Sequence, residues 1–260
     1  MLPINADLLR AIAPRQSGIR AQHQALIIEE VGKSLAETLE KYSIATPLRM
    51  AHFVAQSGHE SDGFCTTEEY ASGAAYEGRR DLGNTEPGDG QRFKGRGLIQ
   101  LTGRANYVAA SGRLQIPLVN NPDLAAVPQT SLLIACDFWQ VHNINTACDR
   151  DDIITVTRAV NGGLNGLDSR RDYLAKAKEA VAQLQAGQIS ASAGNPPTLH
   201  RGMQGDAVVR LQTALRDNNF LAAIDGVFGA GTETAVKNFQ ASKDLVADGI
   251  VGPTTWAKLV

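Results

Sequence analysis

The sequence predicts a mainly helical protein of two domains joined by a linker. Apolar residues recur at helical spacing before position 187, as in ALIIEEVGKSLAETLEKY and RRDYLAKAKEAVAQLQ. The run GQISASAGNPPT follows, and its small, polar, glycine and proline residues cannot bury an apolar face. The remaining residues have a helical pattern of their own. We therefore predict a helical domain at 1–186, a linker at 187–198 and a smaller helical domain at 199–260.

The composition is that of a globular protein with little net charge. Hydrophobic residues make up 43% and charged residues 20% of the chain, and the formal net charge is −2. Because there is no basic excess, we expect no nucleic-acid partner. No apolar run approaches the length of a membrane span, so we expect no membrane insertion. We also expect the protein to be a monomer. The odd number and spacing of Cys65, Cys136 and Cys148 predict free thiols.

The tail contains an internal repeat of a turn followed by a helix start. The segments Asp225-Gly226-Val227-Phe228-Gly229 and Asp248-Gly249-Ile250-Val251-Gly252 have the same pattern. Both are followed by threonine, and the second also by Pro253, which are favourable at helix starts. The predicted core of this domain is Val208, Leu211, Leu215, Val227, Phe228, Ala235, Val236, Phe239, Val251, Trp256 and Leu259.

Two glutamates nine residues apart, Glu60 and Glu69, are the main candidate for chemistry. Thr46 and Pro47 predict the start of the helix that leads to Glu60. Nine residues at about 100° each would place the two carboxyl groups on opposite faces of one helix. They can converge only if the helix ends between them, and Gly63 is suited to end it. Such a pair is what hydrolysis of a glycosidic bond requires.

Polar residues form a stripe along this predicted helix. His52, Gln56, His59 and Glu60 recur at helical spacing, which suggests the floor of a groove. Glu60 lies in the last turn, where the helix dipole disfavours an ionised carboxylate, and this suits a proton donor. A glutamate in the following loop could stay ionised as the base. The residues alone do not decide between Glu69 and its neighbour Glu68.

A later segment, RFKGRGLIQLTGRANY, combines glycines with hydrogen-bonding side chains. Gly95 and Gly97 permit close backbone approach, and Thr102 and Asn106 offer a hydroxyl and an amide. A polysaccharide groove needs this mixture. Further on, AVNGGLNGLDSRRDY presents an asparagine and two arginines close to a glycine turn.

These motifs, in this order, resemble the family-19 glycoside hydrolases, which are chitinases and related phage lysozymes. The resemblance rests on HESDGF, the glutamate nine residues beyond, AYEGRRDLGN, PGDGQRFKGRGLIQLTGRANY and VNGGLNGLDSR, and it covers residues 46–174. It implies a two-lobed, lysozyme-like helical fold. The tail resembles the small helical peptidoglycan-binding module of many cell-wall hydrolases, through RGMQGDAVVRLQTAL, the two turns and AVKNFQ.

The resemblance also implies roles for individual residues. Glu60 matches the general acid, Glu69 the second glutamate, and Thr102 the hydroxyl residue that helps to hold the attacking water. The positions implied for substrate binding are His59, Tyr76, Gln100, Asn106, Tyr107, Asn161 and Arg170. Arg171 stays open as the alternative to Arg170, and Asp62 stands where glycine or threonine is common. No metal or organic cofactor is implied.

The function expected from this resemblance is that of an endolysin. It would hydrolyse β-1,4 bonds between N-acetylmuramic acid and N-acetylglucosamine by an inverting mechanism, and which of the two alternating bonds is cut stays open. The alternatives are a chitinase, a zinc-dependent wall amidase or peptidase, and a non-catalytic wall-binding protein; no HExxH motif favours zinc. The start MLPINADLLR lacks the pattern of a secretory signal. We therefore expect location in the host cytoplasm and release to the periplasm and cell wall at lysis.

Overall fold

A computed structural model of the chain describes residues 4–186, 197–220 and 223–259. These residues fall into two compact units. The first contains the described residues up to 186 except 17–25, and the second contains 17–25 together with those from 197 onward. All but the last two residues of the predicted linker, 187–198, lie outside the described residues.

Both units are built from helices, which confirms the predicted mainly helical fold. The helices up to residue 186 are α1 (Ala6–Ile12), α2 (Gly18–Gly32), α3 (Leu35–Lys41), α4 (Pro47–Glu60), α5 (Asp89–Arg92), α6 (Arg104–Leu114), α7 (Pro128–Val141), α8 (Asn145–Cys148), α9 (Ile153–Asn161) and α10 (Leu167–Gln185). Short 3-10 turns occur at Ala74–Tyr76, Arg80–Leu82 and Pro122–Ala126. Within the described ranges, pairing between extended segments is limited to isolated bridges. None of the described helices has the length and apolar character needed to cross a membrane.

Helix α4 begins and ends where the local sequence predicts. The Thr46 hydroxyl accepts a hydrogen bond from the Arg49 amide, and Pro47 occupies the first turn. After Glu60 the chain turns back, and the Gly63 amide donates to the Gly58 carbonyl at 2.7 Å. Gly63 adopts a φ of +69°, and a Cβ there would lie 2.6 Å from the Pro14 ring. Glycine therefore ends this helix for both conformational and steric reasons.

Two hydrophobic cores give the first unit its two lobes. The larger core is formed by residues of α1 to α4 and α7 to α10, and in it Phe53 packs edge to face on Trp139 with ring centroids 5.2 Å apart. Residues 51–58 of α4 are all buried, so this helix is the centre of the lobe. The smaller core consists of Phe93, Tyr107, Ala110, Leu118, Ala125 and Ile134. Helices α6 and α7 contribute to this second core.

The second unit contains α11 (Asp206–Asp217), α12 (Ala230–Ser242) and α13 (Pro253–Leu259). Its core contains every predicted residue except Val227. Val227 is 39% exposed, whereas the next residue, Phe228, is fully buried. The second repeat has the same alternation, with Ile250 exposed and Val251 buried. Consecutive side chains of an extended segment point to opposite sides, so only one of each pair can enter the core.

A buried glutamine holds each of the repeated turns. Gln212 on α11 donates from its amide nitrogen to the Val227 carbonyl at 3.1 Å, and its amide oxygen accepts from the Gly226 amide at 2.8 Å. Gln240 on α12 does the same for the second turn, donating to the Ile250 carbonyl and accepting from the Gly249 amide, both at 2.9 Å. The repeat in the sequence thus corresponds to a repeated turn in the structure, held each time by a buried glutamine.

We expect Gln212→Leu to lower the free energy of unfolding of this unit by roughly 3 kcal/mol, because buried backbone groups of the turn lose their partners. Urea unfolding of the intact chain in a Trp139→Phe background, where Trp256 is the remaining tryptophan, measures the effect by fluorescence. Gln204→Leu makes the same change at an exposed side chain and serves as the control. Equal stability of the two variants would contradict the role given to Gln212.

Candidate active site

Three of the predicted site residues converge on Gly95. A Cβ built on Gly95 would lie 2.7 Å from Gln100 Oε1, 3.2 Å from Glu69 Oε2 and 3.3 Å from Thr102 Oγ1. The Glu69 amide also donates to the Gly95 carbonyl at 3.0 Å, so the two segments are joined at this point. A carboxylate, an amide and a hydroxyl thus share one small space, and the missing side chain of Gly95 creates it.

Tyr76 adds a fourth group to this cluster. Its hydroxyl donates to Glu69 Oε2 at 3.0 Å. Burial and the neighbouring Glu69 carboxylate raise the pKa of Tyr76, which keeps the hydroxyl protonated and able to donate. In this structure Tyr76 therefore positions Glu69. The sequence analysis predicted a substrate-binding role for Tyr76 and not this contact.

The structure distinguishes Glu69 from Glu68. Glu69 Oε1 is buried and accepts no hydrogen bond from the described residues, so its lone pairs remain available. The Glu68 side chain is 44% exposed, and its Oε1 lies 3.0 Å from Lys94 Nζ and 3.4 Å from Arg96 Nε. A general base needs an acceptor atom that is not already engaged by a protein group. Glu69 has one, whereas Glu68 is paired with two cations.

Two buried polar residues that the sequence did not single out, Asn84 and Asp89, fix the loop carrying Tyr76 together with Arg104. Asn84 is fully buried; its amide nitrogen donates to the Tyr76 carbonyl and its oxygen accepts from the Arg104 amide, both at 2.8 Å. The Arg104 guanidinium donates to both carboxylate oxygens of Asp89. That contact, foremost, lowers the pKa of Asp89. The same residues therefore tie the Tyr76 loop to the start of α6, two residues after Thr102.

Glu60 is held from the opposite side by an arginine. Arg170 of α10 is fully buried and donates from Nη2 to Glu60 Oε1 at 2.5 Å and from Nη1 to Gln56 Oε1. Arg171 is half exposed and pairs with Asp168. Arg170 is therefore the arginine at the predicted acid. Its predicted substrate contact is wrong in this structure, because its side chain is enclosed by the helices and bonds to protein groups.

The predicted polar stripe is mostly internal, which corrects the expectation of a groove floor. His52 is fully buried, with Nε2 2.9 Å from Asp151 Oδ1, and burial lowers the pKa of His52. Gln56 is also fully buried and donates to Thr157 Oγ1 at 3.5 Å. Both side chains bond to protein groups packed on α4, while His52 Nδ1 has no hydrogen-bond partner among the described residues. Of the stripe residues, only His59 and Glu60 in the last turn of α4 are partly exposed.

His59 lies beside Glu60 against the glycine loop before α10. Its Nδ1 lies 3.0 Å from Ser169 Oγ, and a Cβ on Gly166 would lie 2.5 Å from the imidazole ring. Burial, together with the positive charge of Arg170, lowers the pKa of His59, so the ring is neutral at neutral pH. His59 is thus in close contact with the loop, and its predicted contact with substrate stays a prediction.

A cleft of about 630 Å³ brings together four predicted residues, two of which also lie at Gly95. Gln100, Thr102 and Asn106 line it from the segment around the start of α6, and Asn161 lines it from the end of α9. The Asn106 amide donates to the Thr102 carbonyl at 2.8 Å. Neither Glu60 nor Glu69 is among the residues that line this cleft. Gln100 and Thr102 line the cleft and also lie next to Glu69 at Gly95, so Glu69 is adjacent to the cleft through these two residues.

Tyr107 is not part of the groove, contrary to the prediction. Its side chain is fully buried in the smaller core, and its ring packs on Phe93 with centroids 5.2 Å apart. Its hydroxyl donates to the Lys94 carbonyl at 2.9 Å, and burial raises the pKa of Tyr107 to about 12. Adjacent residues of a helix point about 100° apart. Asn106 therefore faces the cleft while Tyr107 faces the core.

We expect Gly95→Ala to lower kcat by about 10²-fold, because a displacement of order 1 Å is enough to misalign reacting groups. The new methyl group would displace Gln100 and press on Glu69 and Thr102. Gly112→Ala in α6, where no atom lies within 4 Å of the added Cβ, is the control. The measurement is the steady-state kcat for glycan hydrolysis by both variants. An unchanged kcat in Gly95→Ala would show that this convergence is not needed.

A two-lobed helical domain with two candidate catalytic glutamates and a cleft lined partly by amide and hydroxyl side chains is typical of glycoside hydrolases. Residues 33–161 match chitinase class I, family 19 of these enzymes, and residues 204–259 match a peptidoglycan-binding domain. The chain therefore carries a family-19 glycoside hydrolase domain together with a peptidoglycan-binding domain. Among the residues that the structure describes, no group of three or more histidine, cysteine, aspartate or glutamate side chains could hold a metal ion.

Comparison with individual proteins also shows the similarity to family-19 glycoside hydrolases. The chain is similar to a glycosyl hydrolase family 19 domain-containing protein of Haemophilus influenzae, with 28% identity over 174 residues, 55% of this chain and 85% of the relative. It is 35% identical over 130 residues to an endochitinase of Arabidopsis thaliana, which covers 49% of this chain but only 44% of that protein. Chitinase C of Streptomyces griseus has a similar fold: the TM-score is 0.55 at 21% identity, over 70% of this chain and 77% of that one.

Proposed function

We propose that this protein is an endolysin that hydrolyses β-1,4 bonds between N-acetylmuramic acid and N-acetylglucosamine in peptidoglycan. The observation that carries the proposal is the union, in one chain, of a family-19 hydrolase domain and a peptidoglycan-binding domain. A module that holds the wall raises the effective concentration of the glycan at the hydrolase domain. This favours peptidoglycan over chitin as the substrate.

In the proposed mechanism Glu60 protonates the bridging oxygen while Glu69 removes a proton from the attacking water. Glu69 Oε1 has no hydrogen bond to the described residues and is free to accept that proton, while Tyr76 holds the other carboxylate oxygen. Thr102, beside Glu69, would help to hold the water. Water attacks the face of the sugar opposite the leaving group, so the configuration inverts. This geometry requires a separation of about 6.5–9.5 Å between the two carboxyl groups.

Arg170 supports the acid at the moment of proton transfer. A protonated Glu60 is neutral and becomes an anion as it gives its proton to the leaving oxygen. The guanidinium at 2.5 Å stabilises that developing charge, and its own position is fixed by Gln56. His59, with its lowered pKa, is a neutral neighbour and adds no second positive charge.

Digestion of purified peptidoglycan tests the substrate and the bond. Mass analysis of the reduced products should show new reducing ends on N-acetylmuramic acid, and chitin should be cut more slowly. New reducing ends on N-acetylglucosamine would show that the enzyme is a glucosaminidase and not a muramidase. A faster reaction on chitin would favour the chitinase alternative. Release of peptides without new reducing ends, abolished by a chelator, would instead indicate a zinc amidase.

We further propose that the enzyme acts after synthesis in the cytoplasm of the host of a phage and reaches the wall through a membrane lesion. Cells that produce it should stay intact until their cytoplasmic membrane is permeabilised, and should then lyse. A production strain carrying an inactive variant, permeabilised in the same way, is the control. Lysis of intact producing cells, or export without a lesion, would contradict this route.

A further inference from the structure

The turn that carries Tyr76 is held by polar contacts and not by apolar packing. Residues Ala74–Tyr76 form a single 3-10 turn in which no residue is fully buried. Tyr76 belongs to neither of the two hydrophobic cores that the described residues of the first unit form. A segment with few buried apolar contacts opens easily unless hydrogen bonds hold it. The position of the Tyr76 hydroxyl at Glu69 therefore depends on the hydrogen bonds of this turn.

Glu77 holds the end of the turn with its carboxylate. Its Oε1 accepts from the Gly88 amide at 2.7 Å, and its Oε2 accepts from the Gly90 amide at 2.8 Å. Hydrogen bonds from backbone amides to an ionised carboxylate are stronger than those between neutral groups. A Cβ on Gly90 would lie 2.5 Å from the Glu77 amide nitrogen, so only glycine lets the two segments approach this closely. Both carboxylate oxygens are thus bound by one short stretch of backbone.

The backbone held in this way leads to the predicted base itself. Gly90 is followed shortly by Gly95, whose carbonyl accepts from the Glu69 amide at 3.0 Å. Glu69 and the turn that carries Tyr76 are therefore both fastened to one segment, residues 88–95. Because they share this support, the Tyr76 hydroxyl is held at a fixed distance from Glu69 Oε2.

We propose that Glu77 is a positioning residue for the reaction. By anchoring the turn, Glu77 keeps the Tyr76 hydroxyl on Glu69 Oε2 and leaves Oε1 directed at the attacking water. A carboxylate held by one oxygen cannot rotate freely, so the atom that accepts the proton stays in one place. Glu77 acts through Tyr76 and takes no part in the proton transfer. The inference rests on the proposed function, because it assumes that Glu69 is the base.

A double-mutant cycle on kcat tests this in the full chain, with the glycan that the wild type cuts faster, purified peptidoglycan or a β-1,4-linked N-acetylglucosamine hexasaccharide. Tyr76→Phe and Glu77→Ala should each lower kcat roughly tenfold, the effect of one hydrogen bond to a charged group. The double variant should lose no more than about twofold beyond Tyr76→Phe alone, because Glu77 then has no hydroxyl left to position.

Two control variants and one conservative variant accompany the cycle. Glu86→Ala removes an exposed carboxylate of the same loop, and Tyr70→Phe removes a hydroxyl that bonds to Asp62. Both should keep kcat within about twofold of the wild type. Glu77→Gln keeps one acceptor oxygen and should lose less activity than Glu77→Ala. Losses that multiply in the double variant, or wild-type kcat in Glu77→Ala, would overturn the positioning role.

Binding of the hexasaccharide separates positioning from a substrate contact. It is measured in a Glu60→Gln background, which does not consume the ligand. The Kd should change by less than about twofold in Tyr76→Phe and in Glu77→Ala, because the loss lies in the chemical step. A raised Kd together with an unchanged kcat would make Tyr76 a substrate contact and would overturn the proposal.

Failure of the proposed function would give a different result. If peptidoglycan stayed uncut while the hexasaccharide was hydrolysed and showed the coupling, the endolysin assignment would fail and the role of Glu77 would stand. A wild-type kcat in Glu69→Gln would overturn the proposed mechanism and the role of Glu77 together. Loss of kcat in Glu69→Gln, with none in Glu77→Ala, would overturn the role of Glu77 alone.

Discussion

Replacement of Glu60 by glutamine is expected to reduce kcat for glycan hydrolysis by roughly 10³-fold, the usual contribution of a general acid. The glutamine oxygen can still accept the hydrogen bond from Arg170 Nη2, so the end of α4 should keep its structure. Only the transferable proton is lost. The measurement is the rate at which new reducing ends appear in purified peptidoglycan, at equal protein concentration.

The effect should be confined to catalysis. The unfolding midpoint of Glu60→Gln and its binding to intact wall should match those of the wild type, because the second unit has a core of its own. A substrate with a leaving group that needs no proton should recover much of the lost rate. Hydrolysis at the wild-type rate would remove Glu60 from the mechanism.

Replacement of Glu69 by glutamine should also lower kcat by roughly 10³-fold, because an amide cannot take a proton from water. Glu68→Gln is the matched control one residue away, and it should leave kcat nearly unchanged. The Glu68 side chain is 44% exposed, and its partner Arg96 also pairs with Asp123, so the loss of the Glu68 charge should disturb the site little. A larger loss in Glu68→Gln than in Glu69→Gln would reverse the assignment of the base.

Local signals in the sequence were sufficient for the elements that begin and end by local chemistry. Thr46, Pro47 and Gly63 predicted the bounds of α4 because capping and left-handed backbone depend on a few adjacent residues. The repeated turns of the second unit were found in the same way. Val227 was wrongly placed in the core because apolar character alone does not say which of two consecutive side chains points inward.

Only part of the site arrangement follows the sequence prediction: Glu69, Gln100 and Thr102 meet at Gly95, whereas Tyr107 and Arg170 are buried. Thr157, which bonds Gln56, is 101 residues away, and Arg170 is 114 residues away, so no local pattern could show that the polar stripe of α4 is internal. The convergence at Gly95 likewise depends on packing between the segments that carry Glu69 and Thr102. Side-chain partners distant in sequence are set by the tertiary fold.

The central claim is that a proton donor and a water-activating base act in one displacement. Its most direct test is to identify the anomer that is released first from a β-1,4-linked oligosaccharide. Proton NMR at early times, before mutarotation, distinguishes the two forms. We predict the α-anomer as the initial product, since water attacks opposite the departing oxygen. Initial release of the β-anomer would mean retention of configuration and would contradict the roles given to Glu60 and Glu69.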